Sequence, residues 1–171
     1  SSMLDQSFLQ LFTTEIKRRL FEESLVRLER CLNELSETDI WWRPNENSNS
    51  VGNLVLHLCG NARQWILTGL GGATDQRKRQ AEFGERGPVS RAELIQKVQQ
   101  LMSEINVVLD RLTPADIERP IVVQGFNETG MSILIHVVEH FSYHVGQMAY
   151  IVKARLDKPT NFYGGINLNN E

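Results

Sequence analysis

Four long stretches of this chain carry apolar residues at steps of three and four, and this spacing constrains the fold more than any other feature. Leu4 to Leu35 holds Phe8, Leu11, Phe12, Ile16, Leu20, Leu25, Leu28, Leu32 and Leu35. Such steps line up on one face of an α-helix, because a turn takes 3.6 residues. A second helix is predicted from about Ser50 to Leu70, with Val51, Leu54, Val55 and Leu58 inward and "GLGG" as its stop. A third opens at Ser90, which reads with Glu93 as a capping box, and runs through Leu112 with Leu94, Val98, Leu101, Ile105, Val108 and Leu112 toward the core. The fourth spans about Ser132 to Leu156 and ends before Pro159. Helices with one apolar stripe each can bury those stripes together only as a bundle, so the predicted fold is an all-α four-helix bundle.

The connections differ in character. "SETDIWWRPNENSNS" is rich in turn formers, and Trp41 and Trp42 interrupt it, so at least one of them is expected to fold back onto the end of the bundle. Gly71 to Pro88 shows no hydrophobic period and reads as a long loop joining the second and third helices; loops of that length are usually functional or mobile, and this one permits an order other than simple up-and-down. "TPADIERP" punctuates, "IVVQGF" reads as a short extended piece, "NETG" as a turn, and the tail from Asn161 as irregular.

At 171 residues, one domain over 1–171 can bury a core without staples. Ser1 and Ser2, ahead of Met3, read as additions and carry no part of the fold. The formal net charge is −3, and the only tight basic cluster is Arg77, Lys78 and Arg79, which argues against nucleic acid as a partner. No apolar run reaches the roughly 20 residues of a membrane span, and the start lacks the basic-then-apolar order of a secretory signal, so a cytoplasmic protein is expected. Cys31 and Cys59 sit in segments that read as amphipathic helix, where a free cysteine behaves as a small hydrophobe, and are too few for a disulfide framework.

Chemistry enters with the histidines. The chain has four, and three of them, His136, His140 and His144, recur at intervals of four in "ILIHVVEHFSYHVGQMAYI". Imidazoles at i and i+4 aim at a common point and can bind one metal ion. The interval "HFSYH" has no glutamate of the HExxH kind, so a metalloprotease is a poor reading. Two imidazoles leave a divalent ion under-coordinated, and His57 on the second helix is the one histidine elsewhere. His136 could serve in place of His144 or stay structural. Cys59 lies roughly 200° around the helix from His57, which makes it a doubtful ligand.

"VGNLVLHLCGNARQWI" resembles the first-histidine helix of the DinB/YfiT-like superfamily, and "HVVEHFSYHVGQM" resembles its last-helix motif. "WWRP" and "AEF" are similar to the DUF1572 branch. The resemblance implies a four-helix bundle with unusual connections and a divalent metal, zinc or nickel, held by His57, His140 and His144. His136 then supports the site from behind or sits in the core. Gln147, one turn past His144, could reach the site, and Gly146 could let a neighbouring helix approach.

Three neutral imidazoles would leave one or more coordination positions free, as in catalytic rather than closed structural sites. A metal there would acidify water, giving a hydrolase, or a low-molecular-weight thiol, giving a thiol S-transferase. The resemblance supports the second, because some members of the superfamily are bacillithiol or mycothiol transferases. The alternative is a metal-stabilised bundle that binds without turnover. Asn61, Gln64, Trp65 and Tyr143 are possible pocket walls for a small-molecule substrate, whereas Glu139 is a weak general base. Metal affinity is expected to fall as pH drops through roughly 6. Ile135 and Val138, beside the inward face of the last helix, suggest a homodimer, as does the resemblance.

Overall fold

In the computed structural model, residues 3–170 are described; the two leading serines fall outside them. The first rod joins α1 (Gln6–Lys17) to α2 (Leu25–Glu34) through a π-helical stretch, Arg18–Ser24. After a 3₁₀ turn at Asp39–Trp41, α3 (Val51–Ala62) continues π-helically over Arg63–Leu70 to form the second rod. Then come α4 (Arg79–Gly84), α5 (Arg91–Arg111) and α6 (Pro114–Glu118), a hairpin of β1 (Pro120–Val123) and β2 (Phe126–Thr129), and α7 (Gly130–Leu156). The predicted four-helix bundle is present, its rods being α1–α2, α3 with its π extension, α5 and α7.

The rods are not arranged in sequence order. The first and second each pack against both α5 and α7. This is the departure from up-and-down order that the long connection permits. Arg91 helps join the first rod to the third: its guanidinium donates to the carbonyls of Leu32 and Leu35 at the C-terminal end of α2, where acceptors outnumber intrahelical donors. The core is continuous from Leu9 at one end to Val152 at the other.

Capping explains most boundaries. Ser50–Asn53, Thr113–Asp116 and Thr129–Ser132 form reciprocal capping boxes, and the Ser90 hydroxyl accepts from the Glu93 amide. Asp157, in the left-handed region at φ 53°, stops α7 two residues before Pro159.

Four details differ from the sequence expectation. The supposed loop Gly71–Pro88 contains α4, whose backbone is strapped to α3. Buried Asn53 donates its side-chain amide to the carbonyls of Glu82 (3.0 Å), Phe83 (3.4 Å) and Glu85 (2.8 Å). "TPADIE" is a helical turn, opened by Pro114 at its first position. "NET" belongs to β2, and the turn is Gln124–Gly125, where both residues have positive φ, 51° and 78°, as a two-residue hairpin of type I′ requires. Leu11 faces solvent at 73% exposure, while Leu9 takes the core position at 4%. The expected return of a tryptophan does occur: Trp41 lies across the start of α3 and donates its indole N–H to the Val89 carbonyl (3.2 Å). Among the described residues no helix is long and apolar enough to cross a membrane.

Candidate metal centre

The second and fourth rods run antiparallel and meet in levels. His57 faces His140 across the interface; one turn further along α3, Asn61 faces His136, one turn earlier on α7. A four-residue step on an α-helix overshoots a full turn by about 40°, so His136, His140 and His144 fan out rather than converge. The fan decides their roles. His140 and His144 turn toward His57, and His136 turns the other way, bonding Asn61 Oδ1 through Nε2 at 3.2 Å and stacking on Trp65 with centroids 3.7 Å apart.

One ring nitrogen from each of His57, His140 and His144 lies within 4.8 Å of the other two. His140 Nε2 is 3.0 Å from His57 Nε2 and 3.1 Å from His144 Nε2. The outer nitrogens point at acceptors: His57 Nδ1 lies 3.2 Å from Glu82 Oε1, and His144 Nδ1 lies 2.6 Å from Gln147 Oε1. Donating outward leaves lone pairs facing inward on both rings. A proton on His140 Nε2 would satisfy only one of them. The same nitrogens, each about 2.05 Å from a common tetrahedral ion, would stand roughly 3.3 Å apart, a few tenths of an ångström from the two separations that involve His140, while the third, between His57 and His144, lies within 4.8 Å. The arrangement can hold a divalent cation once His57 and His144 close on it.

Burial tunes His140 and His144 toward neutral, metal-ready imidazole. It lowers the His140 pKa to about 3, helped by the proximity of His144 and His57. It also lowers His144, where the bond to Gln147 pulls the other way, and His136. His140 Nδ1 is buried without a hydrogen-bond partner among the described residues, so a ring that offers Nε2 to an ion leaves an unpaired N–H behind it.

Among the residues singled out from sequence, Gln147 reaches the site. Gly146 does not admit a helix: nothing lies within 4 Å of where its Cβ would be, and it lines an open cavity of about 540 Å³ with Tyr143, Gln147, Tyr150 and the 44–49 loop. Tyr143, 64% exposed, sets its ring edge to His144, and Glu139 is exposed on another face. Trp65 donates to Gln124 Oε1 (3.0 Å), and Gln64 accepts from Arg77 (2.9 Å). Cys59 is outside the cluster, and burial pushes its thiol pKa up to about 12. Sequence reasoning missed Arg77 and Glu82. Both side chains are buried, and they form an ion pair of 3.1 Å beside His57. The signal was the "AEF" stretch, which carries a family likeness but does not by itself point to the site.

The fold and the cluster together define a helical bundle that gathers three imidazoles from two facing rods. The chain belongs to the family described as protein of unknown function (DUF1572), whose model matches residues 7–162. Among solved structures it resembles a conserved protein of Enterococcus faecalis at 15% identity, with a TM-score of 0.73 over 85% of this chain and 98% of that one. It also resembles a DinB-like protein of Bacillus subtilis at 18% identity (TM-score 0.65, 86% and 96%). A third likeness is a DinB-like protein of Bacillus cereus at 15% identity (TM-score 0.61, 80% and 88%). These likenesses carry the DinB-like fold. No curated protein matches the chain.

Proposed function

We propose that His57, His140 and His144 bind one divalent ion, zinc or nickel, and that the protein is a metal-dependent enzyme acting on a small molecule. The observation that supports this most is the inward convergence of three ring nitrogens whose partners Glu82 and Gln147 sit on the outer side. Such an ion supplies Lewis acidity, which makes a water or a low-molecular-weight thiol nucleophilic near neutral pH. The residues do the rest. His57 comes from one rod and the i, i+4 pair from another, so the packing of the bundle sets the ligand geometry. Tyr143 and Gln147 adjoin both the histidines and the 540 Å³ cavity, and that cavity is our candidate for the substrate's place. Its lining of Tyr143, Tyr150, Asn47, Asn49, Ser48 and Gln147 carries no formal charge, which favours a neutral polar group there.

A cytoplasmic location agrees with the free thiols of Cys31 and Cys59. A homodimer through α7 agrees with the exposure of Ile135 (49%) and Tyr150 (75%). The test is elemental analysis of untagged protein followed by a screen of esters and thiol acceptors with and without chelator. Turnover that needs the ion supports the enzyme; a stoichiometric ion without turnover on any substrate would favour the binding bundle; no ion at all would end both.

A further inference from the structure

The α4 segment does more than cover α3. Glu82 is 8% exposed, a rare place for a carboxylate unless its charge is answered. Arg77 answers it with two bonds, Nε to Oε2 at 3.1 Å and Nη2 to Oε1 at 3.1 Å. Arg77 is itself held by Gln64 Oε1, 2.9 Å from Nη1, and by Asp75, whose Oδ1 accepts the Arg77 backbone N–H at 3.0 Å and whose Oδ2 accepts from Gln64 at 2.9 Å. Asn53 fixes the backbone carbonyls of residues 82, 83 and 85 from below. The carboxylate is therefore clamped from both ends, and Oε1 is left 3.2 Å from His57 Nδ1.

A glycine makes room for this. A Cβ on Gly60 would stand 1.9 Å from Glu82 Oε2 and 2.6 Å from its Cδ. Gly60 lies inside α3, where alanine is about 1 kcal/mol more favourable by intrinsic propensity. The helix forgoes that preference at the one place where the carboxylate must approach.

Resting on the metal-site reading, we propose that Glu82 is a positioning residue. Seated over Gly60 and clamped by Arg77, it accepts the hydrogen bond of His57 Nδ1–H and so holds the Nε2 lone pair toward His140 and the ion. Imidazole ligands generally need such an outer acceptor, and removing it commonly costs 10- to 100-fold in metal affinity. Arg77 Nη2 also lies 3.4 Å from His57 Nδ1 and could donate to it in the opposite tautomer. Three facts oppose that arrangement. Nη2 already serves Glu82 Oε1, the carboxylate is the nearer partner, and a bare Nδ1 would set its lone pair against a carboxylate oxygen. The long connection is thus part of the site, because it carries the group that orients the ligand.

The experiment uses the full chain, ¹⁵N-labelled and stripped of metal. Long-range ¹H–¹⁵N correlations of the imidazoles report which nitrogen of His57 carries the proton, and zinc affinity is read separately by competition with a chromophoric chelator. Gly60→Ala is the main variant, because its methyl meets the ends of two side chains, Glu82 at 1.9 Å and Arg77 Nε at 3.3 Å, and so displaces the carboxylate rather than backbone. Arg77→Ala with Glu82→Ala is the second, removing the pair together so that no lone charge stays buried. Wild type is expected to show the Nδ1–H form of His57. Both variants should lose that preference and bind zinc 10- to 100-fold more weakly, with the helical circular dichroism unchanged. An Nε2–H form in the wild type overturns the proposal, as does a wild-type tautomer and affinity in both variants. If the tautomer responds as expected but the wild type binds no zinc, Glu82 keeps its positioning role and the metal-site reading fails instead.

Discussion

His57 Nε2 and His140 Nε2 stand 3.0 Å apart, although 83 residues separate them in the chain. Two neutral imidazoles can share one proton at that distance, but two imidazolium ions would repel each other strongly. This pair makes the metal-free fold sensitive to acid.

The sign follows from His140, whose folded pKa, about 3, lies below the 6.5 of an unperturbed imidazole. Below pH 6.5 the unfolded chain takes up a proton that the folded chain refuses, so stability falls as pH drops from 6.5 toward 3. His144 and His136, also lowered by burial, act in the same direction. Urea denaturation of chelator-treated protein from pH 7 to 4 should show a steadily falling midpoint. A midpoint that holds or rises below 6.5 contradicts it. With metal present, protonation of His140 and His144 should begin to compete with the ion only below the pH of about 6 expected for ordinary histidines, because burial keeps these two rings neutral further down.

The ion should not be what holds the bundle together. The core contains Leu20, Leu28, Leu58, Ile66, Leu94, Leu101, Ile105 and Phe141, all fully buried on the four rods, and none of it depends on the histidines. His140→Ala should abolish metal binding and any activity with helicity preserved. Its thermal midpoint should match that of chelated wild type apart from a packing cost of order 1 kcal/mol, and the metal-loaded wild type should exceed both by the mass-action term RT ln(1 + [M]/Kd). Melts followed by circular dichroism, with and without chelator, make the comparison. Unfolding of the wild type by chelator alone would turn the site into a structural staple.

The fold was largely legible because its signals are periodic. Val51, Leu54, Val55 and Leu58 are all inward, as are Leu94, Val98, Leu101 and Ile105. The first rod was harder. Its inward line runs Ile16, Leu20, Ser24, Leu28, three successive steps of four that would drift by about 120° around a straight α-helix. The π-helical stretch Arg18–Ser24, with its wider turn, absorbs that drift and keeps all four on one side. The hydrophobic pattern picked out Ile16, Leu20 and Leu28 of this line but passed over buried Ser24 and took in exposed Leu11.

The site divided in the same way. An i, i+4 pair containing His140 could be read from spacing, His57 was the one histidine off that helix, and the family likeness pointed to the set His57, His140 and His144. The spacing could not decide between His136 and His144, because that depends on what faces each one. His136 meets Asn61 and Trp65, one and two turns beyond His57, and is thereby turned away. Arg77 and Glu82 could not be read at all. Buried charge in a glycine-rich polar stretch looks like a solvated loop until the opposing Gly60 is seen to leave a gap for it.

Leu9 and Leu11 offer a direct test of the first rod's rotation. Leu9→Ala removes a buried side chain and should cost about 2 to 3 kcal/mol, toward the low end for such truncations because the site lies near the end of the core. Leu11→Gln changes a side chain that is 73% exposed and should stay within about 0.5 kcal/mol of wild type. Urea midpoints at constant slope give both values. Equal losses would mean that Leu11 is buried as the sequence pattern first suggests.

The end of the bundle nearest the WWRP stretch depends on one close approach. A Cβ on Gly52 would fall 2.6 Å from two carbons of the Trp41 ring, which lies over the first turn of α3 while its indole N–H reaches the Val89 carbonyl. Trp41 therefore joins three segments: the loop after the first rod, the start of the second, and the approach to α5. Gly52→Ala gains helix propensity but cannot keep this ring in place, and it should destabilise by about 1 to 3 kcal/mol, the usual cost of overpacking. The same methyl at Gly84, where a Cβ would find no atom within 4 Å, should have little steric effect. Tryptophan fluorescence, compared with that of a Trp41→Phe variant to isolate this ring from Trp42 and Trp65, provides a second reading, since displacing the ring exposes it to water and shifts its emission to the red. Retained stability together with an unshifted spectrum in Gly52→Ala would show that the ring has room to spare.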